Sequence, residues 1–594
     1  MITSLNYPFD VNYLLRKKKA IRRELMQRTD FVEKRIAILG GSTTAEVKDM
    51  LELFLLKDGV KPVFYESGYN RYYEEILFSG DALKDFAPEI IYIHTSNVNV
   101  ARYPSVTESA EDIDSLVTNE VNRFREIWDR IAGEYSCPVI QNNFELPHYR
   151  GLGNLDGYDA HGRTRFIAEL NRCFSEEARQ RQNLHLNDIN YLSAWFGLER
   201  WHDKLSWYSY KYAMSIDAIP LLAHSVASIV RAVLGQSKKC LVLDLDNTLW
   251  GGVIGDDGLG GIRIGKETPE AEAYTEFQQY VKGLKERGII LAICSKNDEV
   301  SAREGFAHPD SILALDDFSV FRANWKPKHE NIREIAQLLN IGIDSLVFAD
   351  DNPAERDIVR SQEPRVAVPE LGDNVAKYID VIDKSGLFET ISLSSDDLLR
   401  NSFYADNAVR QDTQSRFENY DDFLRSLGMV AEIKPIVPVY LDRVTQLTNK
   451  TNQFNLTTRR YTLDELKAIS EDSRYITLYG RLQDKFGDNG LVSIMVGVIR
   501  GQELHLDLWL MSCRVLKRGM ETAMLDQLVA KARDREVKSI MGYYYPSAKN
   551  NIVSGLYEEM GFQNLEIKED RSSIWRLDIS TAYTNKNLFI EVNK

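Results

Sequence analysis

Short apolar runs that end abruptly in polar residues recur along the chain, alternating with stretches where apolar positions return every three or four residues. RIAIL (35–39) ends in Gly40-Gly41-Ser42-Thr43-Thr44, and IIYI (90–93) ends in His94-Thr95-Ser96-Asn97. CPVIQNN (137–143) repeats the form, and an amphipathic segment runs from about 45 to 56. This alternation predicts a parallel sheet whose polar strand ends gather on one side. A helix at about 218–234 and the polar GQSKK close this part. The rhythm is clearest over the next 150 or so residues: strand Cys240–Leu243, a helix over 271–287 stopped by Gly288, strand IILAIC (289–294), a helix at about 327–339, and strand SLVFA (345–349). A looser, charged stretch (about 385–428) leads to a third part, with strands expected near 431–438, 491–499 and 503–510 and helices near 440–449 and 518–533. The expectation is an α/β multidomain chain with parts at 1–235, 236–385 and 431–594 and a connecting region at 386–430.

Composition narrows the classes. The chain has 594 residues, 44% of them hydrophobic, and Lys+Arg 73 against Asp+Glu 88 leaves a net charge of −15. That balance argues against a protein that coats nucleic acid or an anionic membrane. Five scattered cysteines (Cys137, Cys173, Cys240, Cys294, Cys513) form neither a disulfide framework nor a zinc pattern. No secretory h-region and no unbroken 18-residue apolar run occur, so a cytoplasmic protein without nucleic-acid or membrane partners is expected.

The chemistry concentrates in Asp244-Leu245-Asp246-Asn247-Thr248-Leu249-Trp250, directly after a buried strand. Two carboxylates at i and i+2 there need compensation, and a divalent cation such as Mg²⁺ supplies it through oxygen ligands. Three other strand ends fit the same site: Ser295-Lys296-Asn297, Lys326 in NWKPKHEN, and Asp350-Asp351-Asn352-Pro353. An aspartate can attack a phosphoryl group and a second one can move the leaving-group proton. Asp244 is then the nucleophile and Asp246 the acid/base. Ser295, Lys296, Asn297 and Lys326 hold the phosphoryl group, and Asp244, Asp246, Asp350 and Asp351 hold the metal.

DLDNTLW, CSKN, the Lys-Pro pair and ADDNPAER resemble motifs I to IV of the haloacid dehalogenase (HAD) phosphotransferase superfamily. The resemblance favours Lys326 over Lys328 as the motif III lysine, because Lys-Pro is the usual form. Only about 45 residues separate motifs I and II, and GGVIGDDGLGGIRIG (251–265) reads as a Gly-rich flap, so no large cap is expected and the site stays open to a bulky substrate.

CLVLDLDNTLWGGVIG, LAICSKND, NWKPKHENI, TNQFNLTTRRYT and DKFGDNGLVS, in this order, resemble FkbH-like proteins of HAD subfamily IIIC. The resemblance implies loading of a glyceryl unit from 1,3-bisphosphoglycerate onto an acyl carrier protein, with loss of phosphate. Cys513 and then Cys294 are the candidate acyl-carrying thiols. A plain phosphatase acting on a small phosphomonoester, or a carrier-binding scaffold with little turnover, are the alternatives.

SCRVLKRGMETAMLDQLVAKA and NNIVSGLYEEMGF resemble the GCN5-related N-acetyltransferase (GNAT) fold. This implies an α+β third part in which Arg514 and Gly519 belong to a loop that holds CoA or phosphopantetheine, with Asn550 and Tyr557 at the fold's usual positions and Tyr557 as a general acid, although Lys517 stands where the family has its first glycine. The first part weakly resembles an SGNH-hydrolase-like flavodoxin fold. It would place Ser42 and Asn97 in a site, but the expected D-x-x-H is missing, and His202 or His161 would have to arrive from elsewhere.

Overall fold

RIAIL lies inside β1 (Val32–Gly40), whose last five residues are all buried. With β2 (Val60–Glu66), β3 (Ile90–His94), β4 (Val139–Asn142) and β5 (Leu184–Asn187) it forms a parallel sheet in the order β2-β1-β3-β4-β5. Ala37, Leu39, Ile91 and Ile93 share a core with Phe124, Trp128, Phe166 and Phe174 from the helices Ala110–Glu134 and Arg163–Gln180. The computed structural model describes the chain apart from residues 1, 79–80, 136, 399, 415, 548, 582 and 594. It divides into two compact units, Met1–Val233 and Leu234–Lys594. Among the described residues one helical stretch, Ile216–Val233, is long and apolar enough to cross a membrane, but 83% of it is buried as a core helix of the first unit.

The second unit opens with four parallel strands in the order β8-β7-β6-β9: β6 (Cys240–Leu243), β7 (Ile290–Ser295), β8 (Val320–Ala323) and β9 (Leu346–Ala349). Local chemistry sets their connections. The helix Pro269–Glu286 begins where the Thr268 side chain accepts from the Ala271 amide at 3.1 Å and proline fills the first turn. It ends before Gly288, at φ +91°. The flap before it is closed by reciprocal backbone bonds between Gly251 and Arg263 (3.0 and 2.8 Å), and no separate cap domain intervenes between β6 and β7.

The rest of the second unit is a mixed α+β layer. β10 (Met429–Lys434), β11 (Phe454–Asn455), β12 (Tyr475–Asp484), β13 (Gly487–Arg500), β14 (Glu503–Met511), β15 (Ser539–Tyr544), β16 (Gln563–Ile567), β17 (Ser573–Asp578) and β18 (Ile590–Asn593) make one sheet, with the order β16-β17-β15-β14-β13-β12-β10-β18 and β11 beside β14. The expected strand at 431–438 stops at Lys434, directly before Pro435, because proline cannot donate to a ladder. β14 and β15 pair in parallel over three residues only, Glu503–His505 with Ser539–Met541, and then separate. β11 fills that opening: Phe454 pairs with Met511, Asn455 with Leu510, and the Tyr545 amide donates to Leu456 O at 2.9 Å.

The stretch read as loose, 386–430, contains the helices Arg400–Gln414 and Tyr420–Ser426. Arg410 is buried there in a bidentate pair with Asp484 of β12, both bonds 2.8 Å, and it also donates to Asn407. Arg518 also reaches Asp484 at 3.3 Å, so Arg410→Ala leaves that carboxylate partly compensated and should lower stability by about 1–3 kcal/mol. The readout is the denaturant midpoint of the full chain, and a loss below about 1 kcal/mol would mean the pair is solvated.

Candidate active site

All four motifs sit at the carboxyl ends of the parallel strands of the second unit. Asp244 follows β6, and its amide donates to Ala349 O of β9 at 3.0 Å. Asp350 and Asp351 follow β9, and the carboxylate oxygens of Asp244, Asp350 and Asp351 approach within 4.8 Å of one another. Asp244 is 7% exposed, and its Oδ1 is buried without a hydrogen-bond partner. Three converging acids with a free oxygen, all hard donors, fit a divalent cation of the Mg²⁺ type. Such an ion would supply positive charge for the acids and for a bound phosphoryl group.

The cationic partner is Lys328, which corrects the choice of Lys326. The Lys328 side chain is 3% exposed, with Nζ 2.9 Å from Asp244 Oδ2 and 2.5 Å from Asp350 Oδ2. Burial opposes its charge, but the two carboxylates outweigh burial and hold its pKa above the ordinary lysine value. Lys326 is 60% exposed, and its nearest carboxylate is Glu334 at 3.9 Å. Pro327 caps the helix Lys328–Leu339, so Lys328 is its first residue, turned inward, whereas Lys326 stays in the preceding loop.

A second correction concerns Asp246. Its carboxylate lies outside the three-acid group and accepts from Trp250 Nε1 (3.0 Å), the Ile254 amide (3.1 Å) and Asn297 Nδ2 (2.8 Å). At a strand end the i+2 spacing alone does not put both side chains on one ligand, and here Asn247, at φ +53°, turns the chain between Asp246 and Thr248. Burial raises the Asp246 pKa, with the nearby Asp244 charge adding to it, which suits an acid that gives up a proton. Burial raises Asp350 and Asp351 in the same way, again with Asp244 adding to it.

Ser295 is the buried last residue of β7, beside β6. Asn297 is buried and spends its amide on Asp246. Lys296 turns away to pair with Glu355, so it leaves the phosphate set. Several supports were not singled out in the sequence. Thr248 and Asp351 exchange hydrogen bonds of 3.2 and 3.3 Å, and Arg356 donates to Asp350 O (2.8 Å) and Asp351 O (2.7 Å). Tyr274 and Tyr378 both donate to Asn247 O, at 3.3 and 3.2 Å. Arg356 was the most accessible of these, since it lies inside ADDNPAER and is buried despite its charge.

The remaining candidates have packing roles. Cys294 is fully buried, burial pushes its thiol up, and Sγ faces Lys328 O at 3.6 Å, so it is no ready thiolate. Cys513 Sγ lies 3.7 Å from Tyr404 OH and its carbonyl accepts from Asn340 at 2.5 Å, against the β6–β9 layer. Arg514 stacks its guanidinium on Phe403 at 4.4 Å. Gly519, at φ +81°, precedes the helix Met520–Arg533, but the loop in front of it is tied down. Lys517 O accepts from Tyr420 OH (2.9 Å), and Arg518 bonds Asn407 (2.7 Å) and Asp484 (3.3 Å). Asn550 donates to Asn455 O and Tyr545 O, both 2.9 Å, holding β11 in the opening beside β14.

Tyr557 is fully buried, bonds only to the backbone of Tyr543 among its recorded partners, and has its ionisation pushed up by burial. It is a core aromatic rather than a general acid. Tyr557→Phe should therefore leave phosphate release within about twofold and cost about 1 kcal/mol of stability, the net worth of one hydrogen bond. A large kinetic loss at unchanged stability would restore the acid role.

In the first unit Ser42 and Asn97 are buried at adjacent strand ends, but neither histidine completes a triad. His202 Nε2 bonds Leu146 O at 3.1 Å, and His161 bonds Asp159 (2.7 Å) and Glu108 O (3.0 Å).

Residues 35–231 match the family model described as the FkbH N-terminal domain. The chain is 32% identical to the N-terminal part of the protein BF1531 from Bacteroides fragilis, whose crystal structure contains a phosphatase domain complexed with Mg. That similarity covers 63% of this chain and 99% of that one, with a TM-score of 0.59. The ribosomal-protein-S18-alanine N-acetyltransferase from Escherichia coli is matched at 16% identity over 27% of this chain and 99% of that one, TM-score 0.21. The PaiA N-acetyltransferase from Thermoplasma acidophilum, in complex with coenzyme A, is matched at 14% over 25% and 98%, TM-score 0.20. No curated protein matches the chain. The extent of the Bacteroides match, the N-terminal family model and the four motifs converging on Asp244 all point the same way: the chain belongs to the FkbH-like proteins of the HAD superfamily.

Proposed function

We propose that this protein is a Mg²⁺-dependent HAD-type phosphohydrolase or phosphotransferase acting through Asp244. The supporting observation is the unpartnered, buried Oδ1 of Asp244 beside Lys328, Asp350 and Asp351. Asp244 forms a P–O bond as the bond from phosphorus to the leaving oxygen breaks, and Asp246 gives that oxygen its proton. Asp246 then takes a proton from water, whose oxygen displaces Asp244 and releases phosphate. Lys328 and Ser295 bear on the nonbridging oxygens.

The finer reading is the loading of a three-carbon acyl group from an acyl phosphate such as 1,3-bisphosphoglycerate onto an acyl carrier protein. The thiol sulfur of the carrier's phosphopantetheine attacks the acyl carbon, a C–S bond forms, the C–O bond to phosphate breaks, and the thiol proton leaves with the released phosphate. Asp244 removes the phosphate ester at the other end of the same donor. The absence of a cap domain between β6 and β7 supports a bulky substrate. Cys294 is too buried to relay the acyl group, which leaves the partly exposed Cys513 or direct transfer to the carrier thiol. The test is intact-mass analysis of holo-carrier after incubation with protein, Mg²⁺ and 1,3-bisphosphoglycerate, with phosphate followed in parallel. Phosphate release with no acylated carrier reduces the reading to a phosphatase, and neither product refutes both.

A further inference from the structure

The opening between β14 and β15 has an occupant of its own. These strands pair only through Glu503–His505 and Ser539–Met541, yet β14 continues to Met511 and β15 to Tyr544. Beyond the last pair, their facing edges carry backbone N–H and C=O groups that need partners. An extended, amide-bearing chain such as the pantetheine arm of CoA is the kind of ligand that adds to such an edge as a strand does. The GNAT resemblance implied CoA or phosphopantetheine as the ligand of this layer, and the residues present decide whether the opening can take it.

Residues 454–456 fill it. Phe454 and Asn455 pair antiparallel with Met511 and Leu510 of β14. Leu456 then spans the gap: its amide donates to Trp509 O at 3.2 Å on one side, and its carbonyl accepts from the Tyr545 amide at 2.9 Å on the other. Phe454 and Leu456 are 4% and 0% exposed and share the core that includes Trp509 and Tyr557. The backbone groups and the apolar surface that an inserted arm would use are therefore already spent. Asn550 latches the segment, since its Nδ2 donates to Asn455 O and Tyr545 O while its Oδ1 accepts from the Ser547 amide at 2.7 Å.

The loop expected to hold phosphates is committed as well. The Val515, Leu516 and Arg518 amides donate within it, to Ser512 O (3.2 Å), Cys513 O (3.4 Å) and Val515 O (3.3 Å). Lys549, next to Asn550, pairs with Asp344 at 2.6 Å. Asn452 and Arg460, on either side of β11, donate to Gly235 O and Leu234 O, both at 3.2 Å, ahead of β6. We propose that β11, latched by Asn550, is the built-in occupant of this opening, so that the third part binds neither CoA nor free phosphopantetheine and is instead a closed layer tied to the β6–β9 core. The acyl-transfer reading does not depend on this, because a carrier thiol then meets its donor outside the opening.

The test titrates the full chain with CoA and with phosphopantetheine by calorimetry, and follows backbone hydrogen exchange by mass spectrometry over residues 452–458. No saturable heat is expected from either compound up to about 1 mM. The β11 segment should exchange at least about 100-fold more slowly than the exposed flap around 258–261, with or without CoA. Asn550→Ala should speed exchange of the β11 segment at least about tenfold while β7 keeps its wild-type protection, which shows that the variant is folded. Saturable binding of CoA or phosphopantetheine below about 1 mM would overturn the proposal. So would faster exchange of β11 on adding CoA, or exchange unchanged by Asn550→Ala.

Discussion

Asp244→Asn should abolish phosphate release, by at least about 10⁴-fold in kcat, while leaving the fold intact. The magnitude follows from the role: a nucleophile removed from a concerted set costs several orders of magnitude, and an amide oxygen does not form the phosphoryl-enzyme bond. The same substitution removes one negative charge from a group in which Asp350 and Asp351 are already raised by burial and by Asp244. In EDTA the variant should therefore melt no lower than the wild type. Phosphate release at a tenth or more of the wild-type rate, with the fold preserved, would refute the nucleophile assignment and with it the reading of the site.

Lys328→Met should lower kcat by about 10²–10³-fold, the usual effect of deleting one preorganised charged donor, whereas Lys326→Met should stay within about twofold. The contrast separates two lysines that stand two positions apart in one short motif. Thermal unfolding gives a second readout. Without its ammonium group, Asp244 and Asp350 face each other uncompensated, so Lys328→Met should melt well below the wild type in EDTA, and added Mg²⁺ should recover part of the loss. Equal kinetic losses in the two variants would return Lys326 to the site. An unchanged melting temperature in EDTA would mean that the paired carboxylates are solvated.

Much of the active site is legible in the chain because strand ends announce themselves. A run such as Cys240–Leu243 or Leu346–Ala349 is apolar at every position because both faces of a parallel sheet are covered, and the first polar residues after it must lie at the edge. Asp244, Ser295, Asp350 and Asp351 follow from that rule alone. Lys328 was the harder assignment, since the direction of a side chain across Pro327 depends on where the helix begins. The roles of Cys513, Asn550 and Tyr557 were harder still. Their residue types suit a binding site, and only their neighbours (Tyr404, Asn455 and Tyr543) show that they are spent on packing. β2, β5 and β8 are too short or too little buried to stand out, and in β12 and β15–β17 the apolar positions alternate or are interrupted by glycine and serine, which weakens any single period.

By itself the sequence determined three strands of each parallel sheet (β1, β3 and β4; β6, β7 and β9) and the placing of acids directly after β6 and β9, because periodicity and the cost of burying charge are local properties. Tertiary structure alone decided which lysine meets those acids, why Asp246 turns to Trp250 and Asn297 instead of joining them, and how β11 comes to lie between β14 and β15. Those outcomes depend on distances between residues far apart in the chain, and on which of several polar partners compensates each buried group. Neither is encoded in the spacing of a motif.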